Sequence, residues 1–252
     1  MAKENISIVT VSYRSAETIS GTLDCVAAQQ GLPDQHLVQD GQSDDGTADI
    51  VAKYDHATFV SEPDDGIYDA LNKGIAHCSG DIIGLLHADD FYPNPEVLKK
   101  VSKRFEADPS LMGVYGDLKY VARDNTDKVV RYWKAGRFKP YKLHLGWMPP
   151  HPTLFLRREA YEKTGGFDTR YRISADYDFI LRLFQTFGDK IDYLPEVLVH
   201  MRTGGVSNTG VPNLVKKSKE DFWIASRMGY FAPLIILLKM ASKVKQFRNI
   251  LR

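Results

Sequence analysis

The chain has 252 residues, 43% hydrophobic and 26% charged, with a net charge of +1. That suits a globular protein with one large core, or a core plus a smaller lobe, and gives no overall signal for nucleic acid. Cys25 and Cys78 lack metal-ligand spacing and form no disulfide framework, no secretory signal precedes the first strand-like segment, and no stretch is apolar enough to span a membrane, so the expected location is the cytoplasm.

In chain order, Ile6–Ser12 is β-branched and reads as a central strand, and Ser15 offers an N-cap for a helix through Gln30. His36–Asp40 is a second strand, followed by the loop Gly41-Gln42-Ser43-Asp44-Asp45-Gly46 and a helix that begins at Thr47 or Asp49 and runs through Tyr54. Thr58–Ser61 is a third strand, and Glu62-Pro63-Asp64-Asp65-Gly66 turns into a helix from Ile67 to Cys78. In Gly80–Asp90 a polar turn precedes an apolar run that stops at two adjacent carboxylates, Asp89 and Asp90. Such a run suits a strand buried on both faces, and its carboxyl end is where open α/β sheets place ligands. Two acids there fit a divalent cation bridging to phosphates, or a cap for the helix that Pro95 opens and that runs to Ala107. The βαβα rhythm predicts a doubly wound, mostly parallel sheet, and Asp40, Glu62 and Asp89-Asp90 gather at one edge of it.

Beyond Asp117, Leu118–Arg123 and Lys128–Lys134 alternate as a hairpin, and the basic, aromatic segment Gly136–His151 reads as an ordered functional loop. Thr153–Leu156 is a strand, Arg158–Thr164 a helix, Ile173–Phe187 a second helix, and Ile191–Leu194 and Val197–Met201 two short strands before a glycine-rich loop at 202–208. The tail begins with a polar helix over Asn213–Met228. The apolar run Phe231–Met240 and the cations Lys243, Lys245, Arg248 and Arg252 follow it. Residues 230–252 fit a helix in an anionic membrane interface, or one docked on the core or on a second subunit. The units expected are a first half over 1–117, a second half over 118–212 with a small antiparallel lobe, and a helical tail over 213–252.

These pieces together resemble a family 2 glycosyltransferase with the GT-A fold, of the kind that builds bacterial surface polysaccharides. The matching residues are Ser7–Tyr13, Gln39–Thr47, Glu62–Gly74, Gly80–Asp90 and Ser174–Phe179, in order across residues 5–205. The resemblance implies an inverting transferase moving a sugar from a nucleoside-diphosphate sugar, UDP-linked, to a saccharide or lipid-linked saccharide. It places Thr10, Ser12, Asp40, Asp64, Asn72 and Lys73 in the nucleotide pocket. Asp89 becomes the ligand for Mg²⁺ or Mn²⁺, with Asp90 and Arg202 near the diphosphate. Asp176 becomes the general base, since its place on the helix shares a face with Ile180 and Leu183 while Asp178 looks elsewhere. His151 and Trp147 become acceptor-side contacts.

Three positions depart from the family pattern. His87 stands where the first acid of the metal element is expected, Leu71 replaces an Arg, and Ala175 replaces the Glu before Asp176. His87 and Ala175 permit an alternative, a non-catalytic scaffold of the same fold that binds a partner glycosyltransferase, against which the intact Asp89 and Asp176 argue. A sugar-1-phosphate nucleotidyltransferase would need a glycine-rich basic loop after the first strand, where this chain has Ser12-Tyr13-Arg14-Ser15.

Overall fold

The computed structural model describes residues 4–204 and 211–248. Four parallel strands form one half of the sheet: β1 (Ile6–Ser12), β2 (Gln35–Asp40), β3 (Ala57–Ser61) and β4 (Ile82–His87), in the order β3-β2-β1-β4. β1 and β4 are buried at every position. Covered faces favour continuous apolar runs of this kind. The register aligns Ser12 with Asp40, Asp40 with Ser61 and Val11 with His87, so all four carboxyl ends fall on one edge.

The connecting helices are α1 (Ile19–Ala27), α2 (Thr47–Val51) and α3 (Ile67–His77). α1 is shorter than its sequence pattern suggested, and Ser15 does not cap it. The Ser15 carbonyl accepts from the N–H groups of Thr18 and Ile19, while its hydroxyl turns to the Tyr13 carbonyl. Its own N–H donates to Thr47 Oγ1 at 3.0 Å, which anchors this turn to the start of α2.

The second half continues the same sheet. It contains β5 (Asp90–Phe91), α4 (Val97–Ala107), β6 (Gly113–Val121), β7 (Val129–Trp133), β8 (Phe155–Arg157), α5 (Arg158–Thr164), α6 (Ala175–Phe187) and β9 (Ile191–Arg202). The strand order runs on from β4 as β8-β6-β9-β5, with β7 as the antiparallel partner of β6. β8 is antiparallel to both neighbours, whereas β6 and β9 are parallel. The segments 191–194 and 197–201 are therefore one strand. Pairing with β6 resumes after a register shift, so the Pro195 region bulges without ending the strand.

Side chains of α3, α5 and α6 cover one face with Leu71, Ala160, Phe179 and Ile180, and α4 covers the other with Leu98, Val101 and Phe105. Full burial of each of the larger apolar side chains contributes about 1.5–3 kcal/mol. The chain ends in α7 (Val211–Arg227) and α8 (Ala232–Arg248). These helices dock on the core through Ile224, Ala225, Ala232 and Ile235, all nearly inaccessible. Among the described residues no helix is long and apolar enough to cross a membrane.

Candidate active site

At the aligned strand ends, Asp40 is the hub. Ser12 Oγ and Ser43 Oγ donate to its Oδ1 at 2.9 and 2.6 Å. The Ser43 N–H and Ser61 Oγ donate to Oδ2 at 2.8 and 3.0 Å. Its acceptor capacity is thereby filled. Asp40 is 1% exposed and locks β1, β2, β3 and the following loop together. That loop is strained at Gln42 (φ 59°), opposite Arg14 (φ 49°), and Arg14 grips both carboxylate oxygens of Asp44. A Cβ at position 41 would meet the Asp64 carboxylate, so a larger residue there would displace the Asp64 side chain from the Asp40 loop.

Other residues assigned to the nucleotide pocket divide sharply. Thr10 is fully buried, with its hydroxyl 2.9 Å from His36 Nε2, so it lines no cleft. Asn72 donates to the Phe167 carbonyl and accepts from the Phe167 N–H, both at 2.8 Å. Its amide ties α3 to the segment before α6. Lys73 is held by the Pro63 carbonyl and by Asp69. Asp64 accepts from the Gly66 N–H and stays on the exposed turn.

Asp89 and Asp90 follow β4. Burial raises the Asp89 carboxyl above its ordinary range, with Arg123 and Arg202 pulling the other way. Among the described residues its carboxylate forms no ion pair. Asp90 is 0% exposed, and neither carboxylate oxygen has a hydrogen-bond partner. Burial, and then the neighbouring Asp89, push its carboxyl well above the ordinary value. β5 turns Asp90 inward, so its carboxyl is closed off from solvent behind Asp89. Arg202 donates to the Asp89 carbonyl at 2.7 Å and stacks over Phe91, which fixes the turn that carries Asp89.

A single Asp89 carboxylate fits a divalent cation that takes its remaining ligands from diphosphate and water. Among the described residues no cluster of three or more His, Cys, Asp or Glu is arranged to hold one.

Across the cleft, Asp176 stands in the first turn of α6. Its Oδ1 accepts from the Tyr177 N–H at 2.8 Å and from Tyr68 at 3.3 Å, and its Oδ2 lies 3.4 Å from His151 Nδ1. Burial alone would raise this carboxyl. His151, Lys217 and Lys239 outweigh burial and hold it below its ordinary range, so it stays ionised.

His151 Nε2 in turn lies 3.1 Å from His87 Nε2. His87 is buried and its pKa falls to about 3, through burial first and then His151, so it is neutral. Its Nδ1 has no partner. Placing the His87 proton on Nε2 leaves that orphan a bare acceptor and not a stranded N–H. The chain then runs from His87 Nε2–H to His151 Nε2, and from His151 Nδ1–H to Asp176. β4 and α6 are linked through these two rings, two residues from Asp89.

Sequence reasoning missed the supports around α6. Glu220 accepts from the N–H groups of Arg172, Ile173 and Ser174, at the unpaired start of the helix. Asp178 is fully buried between Arg182 and Arg227 at 2.8 and 2.6 Å, which turns it away from the cleft. Asp221 pairs with Lys239 at 2.7 Å. The signal was the i, i+4 spacing of Asp178 with Arg182 and of Lys217 with Asp221. Trp147 packs its ring against Tyr115, Phe138 and Phe184 and donates to the Ala135 carbonyl, so it belongs to the core of the aromatic segment. Tyr141 is exposed there. Gly205, Ser207 and Asn208 of the glycine-rich loop, the side chains of Lys243, Lys245 and Arg248, and Arg252 lie outside the described residues.

The mixed sheet, with its parallel strand ends on one edge, has the GT-A fold. The Glycosyl transferase family 2 model matches residues 7–165, more than half of the chain, and the chain belongs to that family. It is 28% identical over 251 residues to the PGL/p-HBAD biosynthesis glycosyltransferase of Mycobacterium bovis, covering 97% of this chain and 93% of that one. Among solved structures it is similar to S. aureus TarS 1-349 in complex with UDP-GlcNAc (TM-score 0.67, 18% identity, 88% of this chain and 66% of that one). It is also similar to the mannosyltransferase PcManGT of Pyrobaculum calidifontis in complex with GDP-Man and Mn²⁺ (TM-score 0.64, 19% identity, 95% and 70%). The chain thus spans just under two thirds of the TarS fragment.

Proposed function

We propose that the protein is an inverting transferase that moves a sugar from a nucleoside-diphosphate sugar, UDP-linked, to a saccharide or lipid-linked saccharide in surface-polysaccharide synthesis. The observation that carries this reading is the ionised Asp176 linked through His151 and His87 to the strand end that bears Asp89. The acceptor hydroxyl gives its proton to Asp176, and its oxygen attacks the anomeric carbon opposite the diphosphate. The bond to the diphosphate breaks, the nucleoside diphosphate departs, and the configuration inverts. His151 keeps the carboxylate oriented, and His87 fixes the tautomer of His151. Asp89 would hold Mg²⁺ or Mn²⁺, which when bound offsets charge on the leaving diphosphate.

The ligands recorded with TarS and PcManGT support the choice of a nucleotide-sugar and a divalent metal. In this reading Ser12, Asp40 and Asp64 shape the nucleotide end. Asp40 acts by holding Ser43 in place, since its own oxygens are already occupied. His151 lies on the acceptor side as the group that orients the base, since both of its ring nitrogens are engaged, one by His87 and one by Asp176.

The test is release of nucleoside diphosphate from a panel of nucleotide-sugars, with and without Mn²⁺ and oligosaccharide acceptors. Acceptor-stimulated release from one donor is the expected result. Binding without release under every condition would favour the scaffold.

A further inference from the structure

The α7–α8 hairpin has two apolar faces, and only one is covered. Ile224, Ala225, Ala232 and Ile235 are buried in the core. The opposite side holds a groove of about 590 Å³ between the helices, lined by Leu214, Phe222, Trp223 and Met240 among others. Trp223 is 67% exposed, and Phe231 and Leu237 stand out beside the groove at 72% and 64%. Single exposed apolar side chains are ordinary, but a contiguous set on one pair of helices marks a docking surface.

Charge identifies the occupant. Between residues 211 and 252 the sequence has nine lysines and arginines against two acids, and with Lys217, Arg227 and Lys239 turned to acids of the core, six cations remain. Both acids point inward: Glu220 holds the N–H groups before α6, and Asp221 is buried against Lys239. Lys216 and Lys219 remain exposed on the outer side of α7. A second copy of the chain would bring two such cationic surfaces together, whereas a bilayer of anionic lipid complements both the apolar groove and the cations.

We propose that the outer face of the α7–α8 hairpin docks into the interface of an anionic membrane, with Trp223, Phe231 and Leu237 entering the acyl boundary. The inner face of the same hairpin carries Lys217 and Lys239, which act on Asp176. Docking therefore sets the base a short distance from the lipid surface, where a lipid-carried acceptor presents its hydroxyl. This last step rests on the reading of Asp176 as the base; the docking itself does not.

The experiment is sedimentation of the full chain with vesicles of phosphatidylglycerol or of phosphatidylcholine, read together with intrinsic fluorescence. Binding to the anionic vesicles should be at least about tenfold stronger than to the neutral ones and should weaken with salt. A blue shift of emission should accompany it and be lost in Trp223→Phe. Trp223→Glu combined with Leu237→Glu should abolish binding while the melting temperature stays near that of the wild type; Trp223→Ser serves if the double variant does not fold. Failure of the wild type to bind anionic vesicles overturns the proposal, as does a dimer in sedimentation equilibrium that Trp223→Glu dissociates. Asp176→Asn should bind vesicles as the wild type does. Loss of vesicle binding with normal transfer to a soluble acceptor would remove the docking alone, and normal turnover by Asp176→Asn would remove the base alone.

Discussion

The pairs Asp89–Asp90 and Asp176–Asp178 have the same residue types and opposite settings. Asp89 and Asp90 sit where burial raises their carboxyls and no side-chain cation among the described residues forms an ion pair with them. Asp176 and Asp178 sit equally deep, but His151 reaches one and Arg182 and Arg227 clamp the other. Buried charge is costly without a partner. The first pair feels only the more distant Arg123 and Arg202, which a donor-bound cation would reinforce, whereas the second has Lys217 and Lys239 near one carboxylate and two arginines on the other. Environments that push like groups apart are how one fold separates metal-binding acids from a base.

The contrast can be broken from the Asp89 side first. Asp89→Ala should weaken metal-dependent donor binding on the order of 100-fold, measured by calorimetric titration with and without Mn²⁺. Donor affinity that does not respond to metal in the wild type would erase the distinction between the pairs.

His87→Asn should lower kcat about tenfold at unchanged donor KM, because it frees His151 to take another tautomer without touching the nucleotide end. A change confined to donor KM would mean that His87 serves the donor directly.

A smaller effect should come from Asn72→Ala, which leaves the Phe167 N–H and carbonyl without their partners. The expected loss is about 1–3 kcal/mol of stability by denaturant unfolding, with nucleotide affinity retained by the folded fraction.

The smallest effect is a difference in slope with pH. Asp176 has a folded pKa below its ordinary 3.8, so its contribution to stability is present above that value and lost as pH falls below it. Asp90 has a raised folded pKa and binds its proton more tightly when folded. Its contribution therefore falls as pH rises above 3.8. Stability relative to Asp176→Asn and to Asp90→Asn should change with pH in opposite directions, as read from melting curves; parallel slopes would contradict the contrast.

How far the sequence reveals this arrangement follows the range of the interactions. β1, β4 and α5 are legible because local pattern decides them, an apolar β-branched run in one case and a helix stopped by Gly165 in another. The inner bond network is not. Asn72 carries a family motif and yet binds the Phe167 backbone, 95 residues away. Thr10 lies in the expected strand on the same face as Ser12, but two residues back from the strand end its hydroxyl meets the buried His36 of β2. Ser15 has the composition of an N-cap, but its N–H is drawn to Thr47. The hairpin shows both cases: its apolar run is visible locally, while the inward turn of Glu220 and Asp221 depends on α6 and α8.

The most direct test of the central claim is single-turnover transfer by Asp176→Asn, with donor binding measured on the same preparation. The account predicts unchanged donor affinity and a rate of transfer lower by about 10²–10⁴-fold. Transfer within about threefold of the wild type, at equal donor occupancy, would contradict it.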